Sequence, residues 1–242
     1  MIPRIHLAVA APLRPGDTLE LPPEQSRHVA QALRMRVGDA LTLFTGTGGE
    51  YEATIERIER RDVVVHVGRH VAIERESAFT VTLVQSLIAA DMMDLVVRKA
   101  VELGVAAIVP VQAARSQGVP AERTARRAAH WRQIAIAACE QSGRNRIPHV
   151  HDVVSLTQWL ASTDARAFGV ILDASATESL VAVASKTMPG ALLSGPEGGF
   201  TPEEVQAATA RGFVAAHLGP RVLRAETAPL AALATLNALA ET

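Results

Sequence analysis

The sequence predicts an α/β protein with a small amino-terminal β-domain and a larger carboxy-terminal domain that has a mostly parallel sheet. Three observations predict this fold class. Short runs of alternating polar and apolar residues fill the first 75 positions, apolar runs alternate with helical patterns after them, and glycine-containing loops follow the last apolar runs. A length of 242 residues with 48% hydrophobic content is sufficient for two domain cores.

The amino-terminal domain is predicted to span residues 1–75 and to form a small antiparallel barrel or sandwich. Turn signals such as RPGD, RVGD and GTGG separate its strands. One helix interrupts them, because Val29, Ala32 and Leu33 share a face within the segment 22–35. The runs that predict strands are residues 18–21, 40–44, 50–58 and 62–68.

The carboxy-terminal domain is predicted to span residues 76–242. Its first helix begins at Asp91 and ends at Gly104, since glycine is a common C-terminal stop. The alternation of buried-type strands and helices favours a parallel sheet, and periodicity alone predicts an ordinary doubly wound one. Strands are predicted at residues 79–87, 105–111, 167–172, 190–194 and 213–219, and further helices at 121–142 and 227–241.

Composition excludes several protein classes. The single cysteine, Cys139, excludes a disulfide framework, and no Cys/His cluster has the spacing of a zinc site. No apolar run reaches the ~18 residues that a membrane span needs. The start of the chain superficially resembles a signal peptide, but His6 and Pro12 interrupt its apolar core. We therefore expect a cytoplasmic protein with no metal and no membrane partner.

The charge of the chain is unevenly distributed. A net charge of −1 argues against a uniformly basic nucleic-acid-binding protein, yet seven arginines accompany only two glutamates between residues 112 and 148. Only Lys99 and Lys186 of the 24 basic residues are lysines, and guanidinium groups bind phosphate and stack on bases well. The region either attracts an anionic ligand or reflects codon bias on a solvated helix face, and composition leaves both interpretations open.

The segment LLSGPEGGFTPEEV, residues 192–205, contains the end of a strand and the start of a helix. Thr201 is a favourable N-cap, Pro202 suits the first helical position, and Glu204 completes a capping box. The strand is therefore predicted to end near Ser194. The glycines between the two elements let backbone amides approach a ligand closely, although a tight turn explains the same spacing.

Ligands of open α/β sheets bind beyond the carboxyl ends of the strands. Unusual loops follow the strands predicted at 167–172, 190–194 and 213–219, and two of these loops contain glycine, so we expect a cleft at neighbouring strand ends. No Walker sequence, complete G-x-G-x-x-G or G-x-S-x-G elbow occurs. Cys139 lies within a helical run and is expected to pack rather than to act as a nucleophile.

The motif GPEGGFTPEE, followed by LGPRVLRAETA at residues 218–228, resembles the paired signature of the SPOUT superfamily of S-adenosylmethionine-dependent RNA methyltransferases. Within it, the sequence is similar to the ribosomal RNA small subunit methyltransferase E family, which methylates N3 of a uridine in small-subunit (16S) ribosomal RNA. Three further blocks extend the resemblance over nearly the whole chain: RHVAQALRMRVGD, MDLVVRKAVELGVAAIVPV and WRQIAIAACEQSGRNRIP.

The resemblance implies a PUA-like β-barrel that binds RNA, a carboxy-terminal α/β domain with a deep trefoil knot, and a homodimer built across that knot. It implies S-adenosylmethionine as the cofactor, no metal, and small-subunit ribosomal RNA or the assembled subunit as the partner. The residues that would bind the cofactor are Leu172, Leu193, Gly195, Glu197, Gly198, Gly199, Leu218, Gly219 and Leu223.

Methylation of uridine N3 requires that the imide proton leave, so a general base or an anion-stabilising cation is expected nearby. The resemblance indicates Arg144, Glu197 and Arg224 as catalytic residues, with Arg221 and Glu226 as further candidates. Alternatively, each glutamate caps a helix and Arg224 pairs with one of them. The arginines expected to bind RNA are Arg27, Arg34, Arg36, Arg115, Arg144 and Arg221.

The chain departs from the family pattern just before its first α/β helix, where Ala89 and Ala90 replace the usual lysine and glycine. A contact that this lysine makes to RNA or to the dimer partner is then missing, or an arginine makes it. Two other functions remain open, namely ribose 2'-O methylation within the same superfamily and a non-catalytic RNA-binding role in ribosome assembly. The glycines at 195, 198 and 199 favour the enzyme.

Overall fold

The computed structural model describes residues 2–8, 12–60, 62–162 and 168–241. Its contacts divide the chain into two units. The first consists of Met1–Glu76 with Cys139–Ile147, and the second of Ser77–Ala138 with Pro148–Thr242. Residues 139–147, which lie in the second of the two sequence-based domains, therefore belong by their contacts to the first unit. Residue 167 of a predicted strand and positions 9–11 of the segment that resembles a signal peptide lie outside the described residues.

The described part of the first unit contains a sheet of five strands: β1 (Arg4–His6), β2 (Thr18–Glu20), β3 (Ala40–Phe44), β4 (Glu50–Glu59) and β5 (Asp62–Val71). They follow the order β1-β3-β4-β5-β2 and pair antiparallel, except for β1 with β3. Alternate residues of β4 and β5 enter one apolar core. The strands β2 to β5 occur where the sequence predicts strands. β1 was not predicted, because three residues are too few to show the alternation of polar and apolar residues.

The helix predicted at 22–35 changes its geometry midway. α1 (Pro23–Arg27) continues into a π-helical turn, His28–Ala32, in which the Leu33 amide donates to the His28 carbonyl over 2.9 Å. This turn keeps Val29 buried, and Arg34 beyond it adopts a left-handed φ of 54°. The prediction of one regular helix is therefore wrong beyond Arg27, because the pattern of apolar residues does not distinguish an α-turn from a π-turn.

The described part of the second unit contains an eight-stranded sheet in which every pairing is parallel. This confirms the predicted parallel sheet. Its strands are β6 (Thr82–Ser86), β7 (Ala107–Gln112), β8 (His149–Val150), β9 (Val154–Ser155), β10 (Gly169–Leu172), β11 (Glu178–Ser179), β12 (Ala191–Ser194) and β13 (Phe213–His217). The order is β11-β13-β10-β12-β6-β7-β8, with β9 paired to β7.

Helices alternate with these strands as the sequence predicts. Gly104 follows the first helix of this unit, and its φ of 79° is the left-handed conformation in which a glycine commonly ends a helix. No helix in the described ranges is long and apolar enough to cross a membrane. The helices are α2 (Ala90–Glu102), α3 (Ala121–Ser142), α4 (Leu156–Ser162), α5 (Leu180–Ala184), α6 (Pro202–Thr209) and α7 (Thr227–Ala240).

The two glycine-containing loops follow strands that are not paired with each other. β10 lies between β12 and β13 and pairs with both. The carboxyl ends of three strands, instead of two adjacent ones, therefore meet at this edge of the sheet. Sequence order did not predict this arrangement, because consecutive strands of an α/β domain are not always neighbours in the sheet.

Candidate functional site

A cavity of about 480 Å³ lies at the carboxyl ends of β10, β12 and β13. This is the edge where open α/β sheets bind ligands, and the volume is within the range of ~300–1,000 Å³ for small-molecule and cofactor sites. The lining comes from the loops that follow the three strands: residues 172–174, 194–197, 199, 216–218, 221–226 and 228.

One wall of the cavity is formed by residues that lie side by side across the sheet. Leu172 of β10 pairs in register with Ala216 of β13, and Ser194 of β12 follows the pair of Leu193 with Ile171. Ser194 is buried, with 1% exposure, and its Oγ has no hydrogen-bond partner among the described residues. Buried hydroxyl groups are usually hydrogen-bonded, so this atom marks a position for a polar ligand atom or an ordered water.

The loop after β12 has the conformation that its sequence predicts. β12 ends at Ser194, and the capping box of α6 is confirmed: the Glu204 amide donates to Thr201 Oγ1 over 3.2 Å, and the Thr201 amide donates to Glu204 Oε2 over 2.9 Å. Gly199, which lines the cavity, has φ 68°, and a Cβ built on it meets no atom within 4 Å. The backbone at Gly199 therefore borders open space in a conformation that L-residues rarely adopt.

Glu197 lines the cavity and is held by groups from two other loops. Its Oε1 accepts hydrogen bonds from the Ala89 amide over 3.2 Å and from Gln117 Nε2 over 3.3 Å. Ala89 is the N-cap residue of α2, so the carboxylate lies near the positive end of that helix dipole. The alternative that Glu197 caps α6 is wrong, because Thr201 and Glu204 cap that helix.

The departure from the family pattern lies at this same contact. Glu197 accepts its bond from the main-chain amide of Ala89, so the bond does not depend on the side chain at that position. Ala90 is the first residue of α2. The alanines therefore leave the connection between α2 and the loop after β12 intact.

The loop after β7, residues 113–118, also binds the loop after β12. Arg115 Nη1 donates to the Gly198 carbonyl over 2.8 Å, and the Ala114 amide donates to Glu204 Oε1 over 2.7 Å. A Cβ built on Gly198 would lie 3.3 Å from Arg115 Cδ. The absence of a side chain at Gly198 therefore makes room for Arg115, a role that the sequence did not indicate.

The loop after β13 contributes two exposed arginines to the cavity lining. Arg221 and Arg224 lie on either side of Val222, which is 86% exposed. Gly219 starts the loop with φ 101°, and its amide donates to His217 Nδ1 over 2.9 Å. Two cationic groups at the mouth of a cavity favour an anionic ligand or a developing negative charge.

The structure brings six of the nine predicted cofactor residues together in the cavity lining, and these six are Leu172, Gly195, Glu197, Gly199, Leu218 and Leu223. Leu193, Gly198 and Gly219 are not among the lining residues. Successive side chains of a strand point to opposite faces, so Leu193 and Ser194 lie on different faces of β12. The face of Leu193 belongs to an apolar core cluster. Sequence reasoning missed the polar lining residues at the strand ends, which are Asp173, Ser194 and His217. Their position at the ends of predicted strands was the signal that could have found them.

The predicted catalytic residues are divided between the two units. Glu197 and Arg224 line the cavity of the second unit, and no ion pair joins Arg224 to Glu197 or Glu226 within the described residues. Arg144 belongs to the first unit, is 3% exposed, and forms an ion pair with Glu76. A buried and paired guanidinium has little surface for RNA, and the roles of Arg144 in catalysis and RNA binding stay predictions.

Residues around Arg144 are held by a network centred on Glu50. Its carboxylate accepts hydrogen bonds from Arg4 Nη1 over 2.5 Å, from Arg75 Nη1 over 3.0 Å and from Asn145 Nδ2 over 3.2 Å. Burial raises the pKa of Glu50, but the hydrogen bonds from Arg75, Arg4 and Asn145 together outweigh it and lower the pKa to about 2. The ionised carboxylate therefore attaches residues 139–147 to the sheet of the first unit.

Three of the arginines expected to bind RNA are exposed in the first unit. Arg27 ends α1, and Arg34 and Arg36 follow the π-helical turn. None of them forms an ion pair with another described residue. Their charges are available to phosphate groups.

Neither a metal site nor a reactive thiol is found among the described residues. These residues contain no group of three or more His, Cys, Asp and Glu side chains that could hold a metal ion. Cys139 is buried in α3, and this burial raises the pKa of its thiol to about 11. The thiol is therefore protonated at neutral pH, in agreement with the prediction that Cys139 packs.

Known proteins are similar to this chain over nearly its whole length. A family model described as an RNA methyltransferase domain matches residues 75–237, and one described as an RNA methyltransferase PUA domain matches residues 21–68. The ribosomal RNA small subunit methyltransferase E of Bacillus subtilis (strain 168) is 31% identical over 234 residues, covering 92% of this chain and 90% of its own. The protein of that name from Mycobacterium bovis is 34% identical over 225 residues, covering 89% and 84%.

Solved structures show the same architecture. A ribosomal RNA small subunit methyltransferase E from Neisseria gonorrhoeae, bound to S-adenosyl methionine, has a TM-score of 0.91 at 36% identity, covering 99% of this chain and 98% of the other. A Legionella pneumophila protein in complex with the cofactor SAM has a TM-score of 0.92 at 37% identity, covering 98% of each chain. Both were solved with the same cofactor.

Proposed function

Because this chain belongs to the ribosomal RNA small subunit methyltransferase E family, we propose that it methylates N3 of a specific uridine in small-subunit ribosomal RNA with S-adenosylmethionine. The observation that carries the proposal is the cavity at the ends of β10, β12 and β13, which both signature loops line. The similarity to a structure solved with this cofactor supports it.

The residues around the cavity fit S-adenosylmethionine. Leu172, Leu218 and Leu223 offer apolar contacts to the adenosine, and the Ser194 hydroxyl offers a buried polar atom that bonds to none of the described residues. Gly199 exposes its backbone where a side chain would project into open space. When bound, the sulfonium supplies a methyl group that is already activated, so the protein has to bind and orient its substrates.

Uridine N3 becomes nucleophilic as its imide proton leaves, and side chains of the cavity can assist this step. Glu197 is the proposed proton acceptor, since only its Oε1 is hydrogen-bonded within the described residues. Arg224 and Arg221 are proposed to stabilise the negative charge that spreads over the flanking carbonyl oxygens, with Glu226 as a second candidate base. A positioned acid or base of this kind contributes ~10²–10⁴ in rate.

The proposal includes a deep trefoil knot in the second unit and a homodimer built across it. The resemblance of the loops after β12 and β13 to the paired SPOUT signature supports the knot. α7 supports the dimer, because it consists mainly of alanine and leucine, and yet Ala234 and Ala238 are exposed. A helix that is apolar around most of its circumference is normally buried.

RNA binding is proposed for arginines in both units. In the first unit these are Arg27, Arg34 and Arg36, and the match of residues 21–68 to an RNA methyltransferase PUA domain supports a barrel-like RNA-binding module there. In the second unit they are Arg115 and Arg221. Phosphate contacts would position the strand while the cavity reads a splayed base. A ribosomal RNA substrate implies a cytoplasmic reaction.

The proposal is tested by mapping modified nucleosides in small-subunit ribosomal RNA from cells with and without this protein. We expect one uridine to lose a base methyl group without the protein and to regain it on complementation. Mass fragmentation distinguishes a methyl group on the base from one on the ribose, so a ribose methyl would replace the N3 proposal with 2'-O methylation. Unchanged RNA, together with no heat of S-adenosylmethionine binding, would instead indicate a non-catalytic RNA-binding factor.

A further inference from the structure

The seven arginines between residues 112 and 148 do not have equivalent surroundings. Four of them are bound to other groups of the protein. Arg115 donates to the Gly198 carbonyl over 2.8 Å, and Arg132 forms an ion pair with Asp152 over 2.8 Å. The remaining bound arginines are Arg144, which pairs with Glu76, and Arg146, which pairs with Glu74.

Arg123, Arg126 and Arg127 form the arginine stripe of α3. Their spacing of three and four residues places them on one face of the helix. Arg123 and Arg126 are exposed and Arg127 is half-buried, and none of the three guanidinium groups bonds to another described residue. Glu122 is the only acidic residue within the first three turns of α3.

The rotation of α3 about its axis is determined by the turn that follows the arginine stripe. Trp131 is 1% exposed, and its Nε1 donates to Asp94 Oδ1 of α2 over 3.1 Å. His130 Nε2 lies 2.8 Å from Asp94 Oδ2, so the same carboxylate holds both residues. Arg127 lies four residues before Trp131, beside the buried side of α3, and is half-buried, whereas Arg123 and Arg126 lie further from that side and are exposed.

We propose that the arginine stripe is a phosphate-binding surface for the RNA substrate. The inference rests on the proposed function, because it takes RNA as the partner, and it adds a second region of RNA contact within the catalytic unit. Arg123 and Arg127 are separated by about 6 Å along the helix axis, and three charges that bond to no other described residue attract consecutive phosphates over that length. Arginine suits this role because its planar fork binds phosphate oxygens in a bidentate manner.

The arginine stripe lies close in the chain to the cavity. The loop at residues 113–118 leads into α3, and it contacts the loop after β12 through Arg115 and Gly198. Arg123 follows Arg115 by eight positions, and eight residues span at most about 29 Å even when fully extended. A strand of RNA bound along the arginine stripe can therefore reach the cavity.

The test is the salt dependence of binding to a small-subunit ribosomal RNA transcript. The variant replaces the three arginines together, Arg123→Gln, Arg126→Gln and Arg127→Gln. Each lost phosphate contact lowers the slope of log K against log salt by ~0.7–0.9, so we expect a slope shallower by about 2 and an affinity about 100-fold weaker at ~0.1 M salt. The corresponding Arg→Lys triple variant is expected to keep most of the slope, because lysine retains the charge.

A matched control removes three exposed charges that are already paired, Arg57→Gln, Arg69→Gln and Lys186→Gln. Their partners are Glu59, Glu52 and Glu178, and such surface pairs contribute little to stability. The control has the same net charge as the first variant, and we expect its slope to match that of the unmodified protein. Equal slopes for the arginine-stripe variant and the unmodified protein, or equal losses in the variant and the control, would overturn the proposal.

Two readouts separate this inference from the proposed function. Calorimetric affinity for S-adenosylmethionine is expected to be the same in the arginine-stripe variant and in the unmodified protein, because the stripe residues do not line the cavity. A protein that binds the transcript with the expected slope but transfers no methyl group contradicts the proposed function alone. If the unmodified protein methylates the transcript and the arginine-stripe variant keeps the full salt slope of binding, only the inference is contradicted.

Discussion

Arg115 Nη1 donates a hydrogen bond to the main-chain carbonyl of Gly198 over 2.8 Å, which connects the loop after β7 to the loop after β12. Glu197, next to Gly198, is held in addition by Gln117 of the same loop after β7 and by Ala89 at the start of α2. The conformation of the signature loop thus depends on residues distant in the sequence. This arrangement gives Arg115 a positioning role that can be separated from RNA binding.

Replacing Arg115 with alanine is expected to weaken S-adenosylmethionine binding without RNA. The bond from a charged donor holds a loop that lines the cavity, and its partial exposure reduces the effect to ~0.5–1.5 kcal/mol, or about 2- to 10-fold in Kd. Isothermal calorimetry measures this directly. Arg98→Ala serves as the control, since Arg98 is exposed on α2 and does not line the cavity. An unchanged Kd for Arg115→Ala would show that the bond does not determine the loop conformation.

Substitution of Gly199 with alanine is expected to weaken cofactor binding at least about 10-fold. A left-handed φ of 68° costs an L-residue ~1–2 kcal/mol, and the added Cβ projects into open space beside the cavity. Gly118→Ala is the matched control, because no atom lies within 4 Å of its built Cβ and its φ is not positive. Both variants are compared by calorimetry and thermal unfolding, and equal cofactor affinities in the two would contradict the assignment of Gly199 to the site.

Ser194→Ala is expected to affect stability and binding in opposite directions. The buried Oγ has no partner among the described residues, so its removal raises the free energy of unfolding by ~1 kcal/mol in the absence of cofactor. If the cofactor satisfies this hydroxyl, the same change weakens S-adenosylmethionine binding by about 5-fold or more. Urea unfolding and calorimetry measure the two effects. A variant that is less stable and binds the cofactor normally would assign Ser194 to packing alone.

Glu197→Gln is expected to lower kcat by at least ~10² while the Kd for S-adenosylmethionine changes less than about 3-fold. The amide oxygen of glutamine can still accept from Ala89 and Gln117, whereas the proton acceptor is lost. If kcat is retained and only Glu197→Ala is impaired, the carboxylate positions the loop and Glu226 becomes the better candidate for the base.

The network around Glu50 predicts a pH-dependent stability of the first unit. The pKa of Glu50 is lowered to about 2, so its contribution is fully present above the unfolded pKa of ~4.3 and is lost as the pH falls through about 2. Glu50→Gln should therefore lower the free energy of unfolding by ~1–3 kcal/mol at pH 7, with the difference disappearing near pH 2. Urea unfolding at a series of pH values tests this. A difference that is constant from pH 7 to pH 2 would show that ionisation of Glu50 does not stabilise the network.

The sequence predicted the elements whose signals are local. β3, the helix at 121–142 and the capping box of α6 occur where their residues predict them, because each depends on neighbours within a few positions. The resemblance extended this to the family, and six of the nine cofactor residues that it implied line the cavity. The π-helical turn at His28–Ala32 was missed, since its apolar pattern is also compatible with a regular helix.

Tertiary structure alone determined which residues share an environment. The sequence shows seven arginines in one region, but only the fold shows that Arg144 is buried against Glu76 while the arginine stripe has no bonded partner among the described residues. In the same way, the position of β10 between β12 and β13 brings three strand ends to the cavity, and Glu197 meets Ala89 across 108 positions of sequence. Local propensity is determined by adjacent residues, whereas burial and pairing depend on contacts that exist only after the chain has folded.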